Sequence, residues 1–364
     1  MDNFSSRLID WYEENGRDLP WRQTRDPYKI WISEVILQQT RVAQGYEYYL
    51  KFIHRFPDFQ TLAVADEDEV MRYWQGLGYY SRARNLHEAA RTLNQLGYFP
   101  ETYKEVKALK GVGDYTAAAI CSFAYGLPYA VVDGNVYRVL SRHYAIEEPI
   151  DSTEGKKMFA ALAQDVMSKD FPAIYNQAIM DLGALICTPV SPRCEDCPLV
   201  DTCLAYHKQQ TAAFPVKKMK VKVTDRFFHY IYIYNSTSTF IRKRQEDDIW
   251  RNLYDLPLVE TKERILEIDF LNSDEFIAFK KATGLDMFSV EVEQLVREVK
   301  HILSHQRIHA SFYGIRVPDN FETLLGYQLV DIAELHNFPV SRLINQFFSV
   351  ILGTKKIKKI NLCH

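Results

Sequence analysis

Nowhere in this chain does an apolar run approach the ~20 residues that a membrane-spanning helix requires. The opening stretch, Met1-Asp2-Asn3-Phe4-Ser5-Ser6, is polar and acidic where a secretory leader would be basic and then apolar. A cytoplasmic protein without membrane association is expected. Neither sign of charge dominates: 44 lysines and arginines meet 47 aspartates and glutamates, a net charge of -3. That excludes a uniformly basic protein but leaves room for a local basic face. Internal repeats and low-complexity segments are missing, and an apolar content of 47% excludes a disordered or collagen-like chain. Cysteine is scarce, yet four of the six crowd between 187 and 203. In a reducing compartment such crowding points to metal ligation rather than to disulfides. Aromatics, by contrast, are plentiful at 13% and supply material for packing and stacking.

At 364 residues the chain is long enough for two domains with separate cores. Residues 1–206 read as helical. Phe4, Leu8, Trp11 and Tyr12 recur at helical spacing before Asn15-Gly16, and Trp31 to Tyr49 reads as one long helix. Asp66-Glu67-Asp68-Glu69 puts negative charge in the first turn of another helix, where the helix dipole favours it. Residues 207–226 change to a lysine-rich, Gln/Thr/Ala/Pro composition and read as a linker. From 227 to 364 alternation takes over. Phe228 to Tyr234 and Phe240 to Lys243 read as strands around an Asn235-Ser236-Thr237-Ser238 turn, Ile308 to Phe312 and Gln328 to Val330 as further strands, and Val340 to Leu352 as a closing helix. This half is α+β. The basic run Lys355-Lys356-Ile357-Lys358-Lys359 reads as a solvated end.

Cys187, Cys194, Cys197 and Cys203 follow the spacing C-x6-C-x2-C-x5-C, which can wrap one compact centre. A [4Fe–4S] cluster takes four thiolates, and one loop of this length supplies them. Structural zinc is the rival, though it more often uses two C-x2-C pairs. Cys121, in an apolar helix, reads as core, and Arg193 inside the loop is within reach of a phosphate.

Residues 108–120 place Gly111-x-Gly113 between two helices. Without Cβ atoms there, backbone amides can approach an anion, and the next helix adds its positive dipole end. This is a phosphate seat, or a plain corner between helices. Asp133, in Val132-Asp133-Gly134-Asn135, can cap the following helix or face positive charge developing on a sugar. Glu34 stands on an apolar helix, sharing a face with Trp31, Val35 and Gln38. Dehydrated there, its carboxyl should hold a proton near neutrality; pointing to water, it would be an ordinary surface acid. Gln38 and Gln39 are neutral groups suited to base edges.

Together these residues resemble the adenine DNA glycosylases of the MutY type, in the helix-hairpin-helix superfamily that also holds endonuclease III. The matching stretches are Leu19-Pro20-Trp21-Arg22, Pro27 to Trp31, Ser33 to Thr40, Gly76-Leu77-Gly78-Tyr79-Tyr80-Ser81-Arg82, Leu109 to Thr116, Val132 to Val136, Asp181 to Cys187 and the cysteine loop 187–203. The resemblance implies two helical subdomains with a [4Fe–4S] loop and an active site between them. It implies that Glu34 is the general acid, Asp133 the second carboxylate and Asn135 the residue that orients them. Tyr79 looks like the wedge into the base stack, with Gln39 and Leu77 beside it, and Trp21 and Arg22 match positions near the adenine pocket. Tyr115 stands where endonuclease III-like enzymes carry a Schiff-base lysine, so hydrolysis without backbone cleavage is expected.

The second half resembles, more weakly, the MutT-like recognition domain of this family, through Trp250 to Pro257. The hydrolase box is absent: Arg297-Glu298-Val299 is followed by Lys-His, not paired glutamates. Leu303-Ser304-His305 stands in for the family's Phe-Ser-His hairpin, so Ser304 and His305 are expected to meet the oxidised guanine. His301, His305 and His309 suggest a metal site only superficially; packing or hydrogen bonding is the plainer reading. The implied substrate is double-stranded DNA with adenine opposite 8-oxoguanine, acted on by a monomer. Other repair or replication proteins are further partners that the sequence does not identify. Two alternatives stay open: an endonuclease III-like glycosylase/lyase for oxidised pyrimidines, and a non-catalytic cluster-bearing DNA binder.

Overall fold

A computed structural model describes residues 3–218, 223–245, 247–287 and 291–353. Cys363 and the basic run 355–359 lie outside the described residues. Two compact units emerge, Met1–Ala65 with Ser81–Lys220, and Asp66–Tyr80 with Val221–His364.

The first unit is helical. It comprises α1 (Asn3–Asn15), α2 (Pro27–Leu37), α3 (Val42–Arg55), α4 (Phe59–Val64), α6 (Ser81–Leu96), α7 (Tyr103–Ala108), α8 (Asp114–Tyr125), α9 (Gly134–His143), α10 (Thr153–Val166), α11 (Pro172–Leu185) and the short α12 (Leu204–His207). Helix α2 starts where Asp26 accepts from the Tyr28 amide and Pro27 needs no partner for a missing N–H. Residues 30–36 of it are all buried, so α2 is a core helix packed against α8 rather than a surface stripe. The first helix inserts Phe4 and Leu8 among Val136, Val139, Leu140, Tyr175, Ile179 and Leu182 of α9 and α11.

The expected single helix from 31 to 49 is in fact two. Gln38 leaves helical geometry and Gln39 has φ of +58°. Arg82 compensates the exposed end: its Nη1 donates to the carbonyls of Val35 (2.8 Å), Ile36 (3.2 Å) and Gln38 (2.5 Å). A guanidinium placed at a helix C-terminus satisfies orphan carbonyls and meets the negative end of the dipole. Helical spacing of apolar residues on both sides of the break concealed it.

The second unit holds α5 (Glu67–Trp74) and a seven-stranded mixed sheet in the order β3-β2-β1-β6-β5, with β4 on β1 and β7 on β2. The strands are β1 (Thr224–Tyr234), β2 (Ser238–Lys243), β3 (Tyr254–Asp255), β4 (Leu258–Thr261), β5 (Val292–Ile302), β6 (Gln306–Arg316) and β7 (Gln328–Asp331). Strands β1 and β6 run parallel along their whole length. Both faces of β1 are covered. Phe228, Tyr230 and Tyr232 pack with Leu343, Ile344 and Phe347 of α15 (Arg342–Ile351), whereas Ile231 and Ile233 pack with Phe270 of α13 (Glu267–Leu271) and Phe276 of α14 (Asp274–Thr283). Strand β5, the short β4, and helices α13 and α14 were not anticipated. Their alternation is broken, with register shifts between Gln294 and Val299 in β5.

The boundaries differ from those expected. The linker span 207–226 contains the end of α12, a 3-10 turn at Thr211–Ala213 and the start of β1. Its backbone is held: Arg142 Nε donates to the carbonyls of Thr211 (2.9 Å) and Phe214 (3.2 Å), and the Lys218 amide donates to Asp151 (2.8 Å). Residues 66–80, expected within the helical half, belong with the sheet. Asp68 accepts from Lys243 (2.5 Å) and Tyr254 (3.0 Å), and Glu67 from Asn252 (2.5 Å). The acids read as dipole partners of α5 therefore serve as its anchors as well.

Candidate active site and DNA-contacting surfaces

The first unit encloses a cavity of about 990 Å³ lined by Trp21, Arg22, Glu34, Gln39, Gly111, Gly113, Tyr115, Asp133 and Asn135, among others. With Gln38, ten of the residues singled out from sequence thus meet around one space. Glu34 is 6% exposed, so it is no surface acid. Its Oε2 accepts from the Tyr115 hydroxyl at 2.7 Å. Burial pushes its carboxyl up to about 7; the Tyr115 hydrogen bond and Arg22 pull down while Asp133 pushes further up.

Asp133 takes the capping role and also lines the cavity. As N-cap of α9 its Oδ1 accepts from the amides of Asn135 and Val136, each at 2.8 Å. Its Oδ2 accepts from Asn135 Nδ2 at 2.8 Å. Burial raises this carboxyl too, but the three donors oppose that. The two acids therefore differ in setting: Glu34 takes one hydroxyl donor, whereas Asp133 accepts from three N–H groups, which favour its ionised form against burial. Asn135 Oδ1 in turn accepts from Arg138 Nη2 at 2.8 Å, and Arg138 Nε donates to the Cys187 carbonyl at 2.7 Å.

At the hairpin, Gly111 has φ of +76°, and a Cβ there would lie 2.7 Å from Asn85 Cβ. Gly113 is the N-cap of α8 and makes no side-chain cap. A Cβ on Gly113 would meet nothing within 4 Å, so the amides at the start of α8 are open on that side.

Leu77, Tyr79, Ser304 and His305 belong to the second unit. Leu77 is buried, whereas Tyr79 is 46% exposed with φ of +47°. The Tyr79 and Ser304 hydroxyls form a very short hydrogen bond. The turn carrying Ser304 and His305 is closed by the Leu303 amide donating to Gln306 (2.8 Å), and His305 accepts from the Thr224 amide (3.0 Å) through its carbonyl. Leu303 is partly buried against the core of the second unit. His309 bridges Asp225 (2.7 Å) and Glu298 (3.2 Å), so hydrogen bonding accounts for it.

The four cysteine sulfurs share one neighbourhood: Cys187, Cys203 and Cys194 each act electrostatically on Cys197, whose thiol burial pushes up to about 12. Arg142, 3% exposed, donates from Nη1 to Cys187 Sγ at 3.3 Å and to the Thr188 carbonyl at 2.8 Å. Among the described residues no group of His, Cys, Asp and Glu is drawn together closely enough to hold a metal ion. Arg193 donates from Nη2 to the Leu185 carbonyl (2.9 Å) and lies 3.6 Å from Asp196.

Sequence reasoning missed Arg17, Gln177 and Met180 in the cavity wall and Asp181 behind it. Asp181 opened one of the stretches that carried the resemblance, but no spacing rule marked it as part of a site. These residues join the wall by helix packing, which spacing does not disclose.

Residues 32–165 match the model of the HhH-GPD superfamily base excision DNA repair proteins, and residues 229–349 that of the NUDIX domain. A solved thermostable thymine-DNA glycosylase is similar to this chain at a TM-score of 0.53 with 32% identity, covering 56% of this chain and 95% of its own. A solved endonuclease III trapped on DNA, at TM-score 0.50 and 22% identity, covers 56% of this chain and 94% of its own and shares the fold. The class is therefore a helix-hairpin-helix repair fold joined to a NUDIX-type sheet domain. Within it, the adenine DNA glycosylase of Buchnera aphidicola is 34% identical over 84% of this chain and 84% of its own length. The mouse adenine DNA glycosylase is 44% identical over 57% of this chain and 42% of its own. This chain belongs to the adenine DNA glycosylase family.

Proposed function

We propose that the chain is a monofunctional glycosylase that hydrolyses the N-glycosidic bond of adenine paired with 8-oxoguanine or guanine in duplex DNA, in base excision repair. The observation that carries this is the pair of dissimilar acids in one cavity. The adenine must leave the stack to reach them, because the glycosidic bond is inaccessible within a duplex. Glu34, with its proton held to about pH 7 by burial, donates to the departing purine and makes it a neutral leaving group. As the bond breaks, positive charge builds on the sugar, and ionised Asp133 stabilises or captures it. Water then completes hydrolysis with Glu34 as base.

Tyr115 supplies a hydroxyl to Glu34 and no amine, so no Schiff base forms and the backbone stays intact. Trp21, Arg22 and Gln39 line the base pocket, and the open N-terminus of α8 at Gly111 and Gly113 seats a phosphate. Tyr79 and Leu77 serve as the wedge side, and Ser304 and His305 meet the opposite base. Cys187, Cys194, Cys197 and Cys203 would hold a [4Fe–4S] cluster once their sulfurs are drawn in around it: all four lie in one loop, half-buried, and an arginine N–H points at one sulfur. Such a cluster would cross-link the loop through four thiolates. No helix among the described residues is long and apolar enough to cross a membrane; the enzyme works as a monomer in whichever compartment holds the DNA.

The test is excision from labelled duplexes carrying adenine opposite 8-oxoguanine, guanine and thymine. Glu34→Gln and Asp133→Asn should abolish base release while duplex binding survives; near-normal excision by either variant refutes the assignment. Borohydride trapping on abasic DNA should give no covalent adduct, and a strong adduct would favour the lyase.

A further inference from the structure

Helix α11 brings a buried acid to the back of the cavity wall that the chemistry above does not use. Asp181 has no exposed surface. It accepts from the Arg17 amide (3.0 Å), Arg17 Nε (2.9 Å) and Arg17 Nη2 (2.5 Å), and from Arg22 Nη1 (2.6 Å) and Nη2 (2.7 Å). Arg22 Nη1 also donates to the Arg17 carbonyl at 3.1 Å, and its guanidinium lies 5.6 Å from the Tyr12 ring centroid. Both arginines line the cavity, whereas Asp181 stands behind them. The arginines hold its carboxyl below the ordinary aspartate range despite burial, so it is ionised at working pH. One wall of the cavity thus carries two cations and one anion, a net charge of one.

We propose that Asp181 is a positioning residue for base excision: it pins the Arg22 guanidinium in the cavity wall and cancels one of the two positive charges behind Glu34. This rests on the reading of Glu34 as proton donor. A guanidinium favours the ionised form of a nearby carboxyl and so opposes storage of the proton. The groups acting on Glu34 come from three elements. Tyr115 of α8 and Arg22 of the Pro20–Arg22 turn favour the charged form, and Asp133 at the head of α9, itself beside Arg138, favours the protonated one. Arg17 and Asp181 stand behind Arg22, with Tyr12 of α1 against it. Without Asp181 the wall would hold two uncompensated cations and Arg22 would lose two of its hydrogen bonds.

The test is the pH profile of single-turnover excision for wild type, Asp181→Asn, Arg17→Gln and the double variant, with thermal unfolding measured alongside. Excision should fall as pH rises through the Glu34 titration. In Asp181→Asn that descending limb should move to lower pH, slowing alkaline excision about tenfold for each unit moved. Arg17→Gln, which leaves the Arg22–Asp181 pair intact, should move the limb to higher pH. The double variant restores the wall charge and should return the limb close to its wild-type position. Coincident limbs in every variant, whatever the loss of rate, would mean that Asp181 only supports the fold and would overturn the proposal. If Asp181→Asn does not fold, Arg17→Gln decides alone: an upward shift supports the charge role and an unmoved limb removes it. A wild-type profile without a descending limb removes the Glu34 reading and the inference with it, whereas unmoved variants on an intact wild-type limb remove the inference alone.

Discussion

Glu34 shows how burying one acid stores a proton and costs stability together. Its carboxyl ordinarily titrates near 4.5 and in the folded protein near 7, with burial as the main cause. A raised acid binds its proton more tightly when folded. Stability from this group is therefore full below the unfolded value and is lost as pH rises towards 7. The gap corresponds to about 3 kcal/mol of destabilisation above neutrality. Replacement by Gln should remove it. The E34Q protein is expected to melt at a higher temperature than wild type at pH 8, and the two should converge towards pH 4. A variant that is inactive yet no more stable at pH 8 would argue against a buried, proton-storing carboxyl. From sequence, Glu34 could be read either as this acid or as a solvated one; only the burial of residues on every side of α2 decided between them.

Elements decide where the polar groups of the hairpin point. Gly111 and Gly113 sit two residues apart, look alike in sequence and have different duties. At 111 the backbone is left-handed and a Cβ would press on Asn85, so Gly111→Ala should destabilise the fold by about 1–3 kcal/mol, read as a lower melting temperature. At 113 there is space and no positive φ. Gly113→Ala should leave melting almost unchanged while weakening duplex binding, because its methyl group stands where a phosphate would approach the α8 amides. Equal effects of the two substitutions on binding and melting would refute this division. The hairpin itself was legible in Leu109 to Thr116; the break between α2 and α3 was not, because it depends on Arg82, more than forty residues away.

For the whole molecule, the unit boundary falls where no composition change marks it. Residues 66–80 belong with the sheet because Asp68 and Glu67 find their partners on β2, β3 and Asn252. Lys243→Ala combined with Tyr254→Phe should therefore speed amide hydrogen exchange in 66–80 and leave α8 and α11 protected. Unchanged exchange in that segment would show the anchors to be dispensable. Tyr79 lies in the same segment and shares a hydrogen bond with Ser304, so the two residues expected from opposite halves of the sequence meet within one unit.

Much was legible in the sequence alone: helix followed by sheet, the cysteine loop, the glycine hairpin, and two acids that line one cavity. Each of those signals is local, written in residue type and short spacing. What tertiary structure decided was non-local. It set which acid is dry and which is wrapped in N–H donors, placed Asp181 behind Arg17 and Arg22 from some 160 positions away, and gave α5 to the sheet. Proton affinity and charge balance depend on every group within a few ångströms, and only the folded chain brings those groups together.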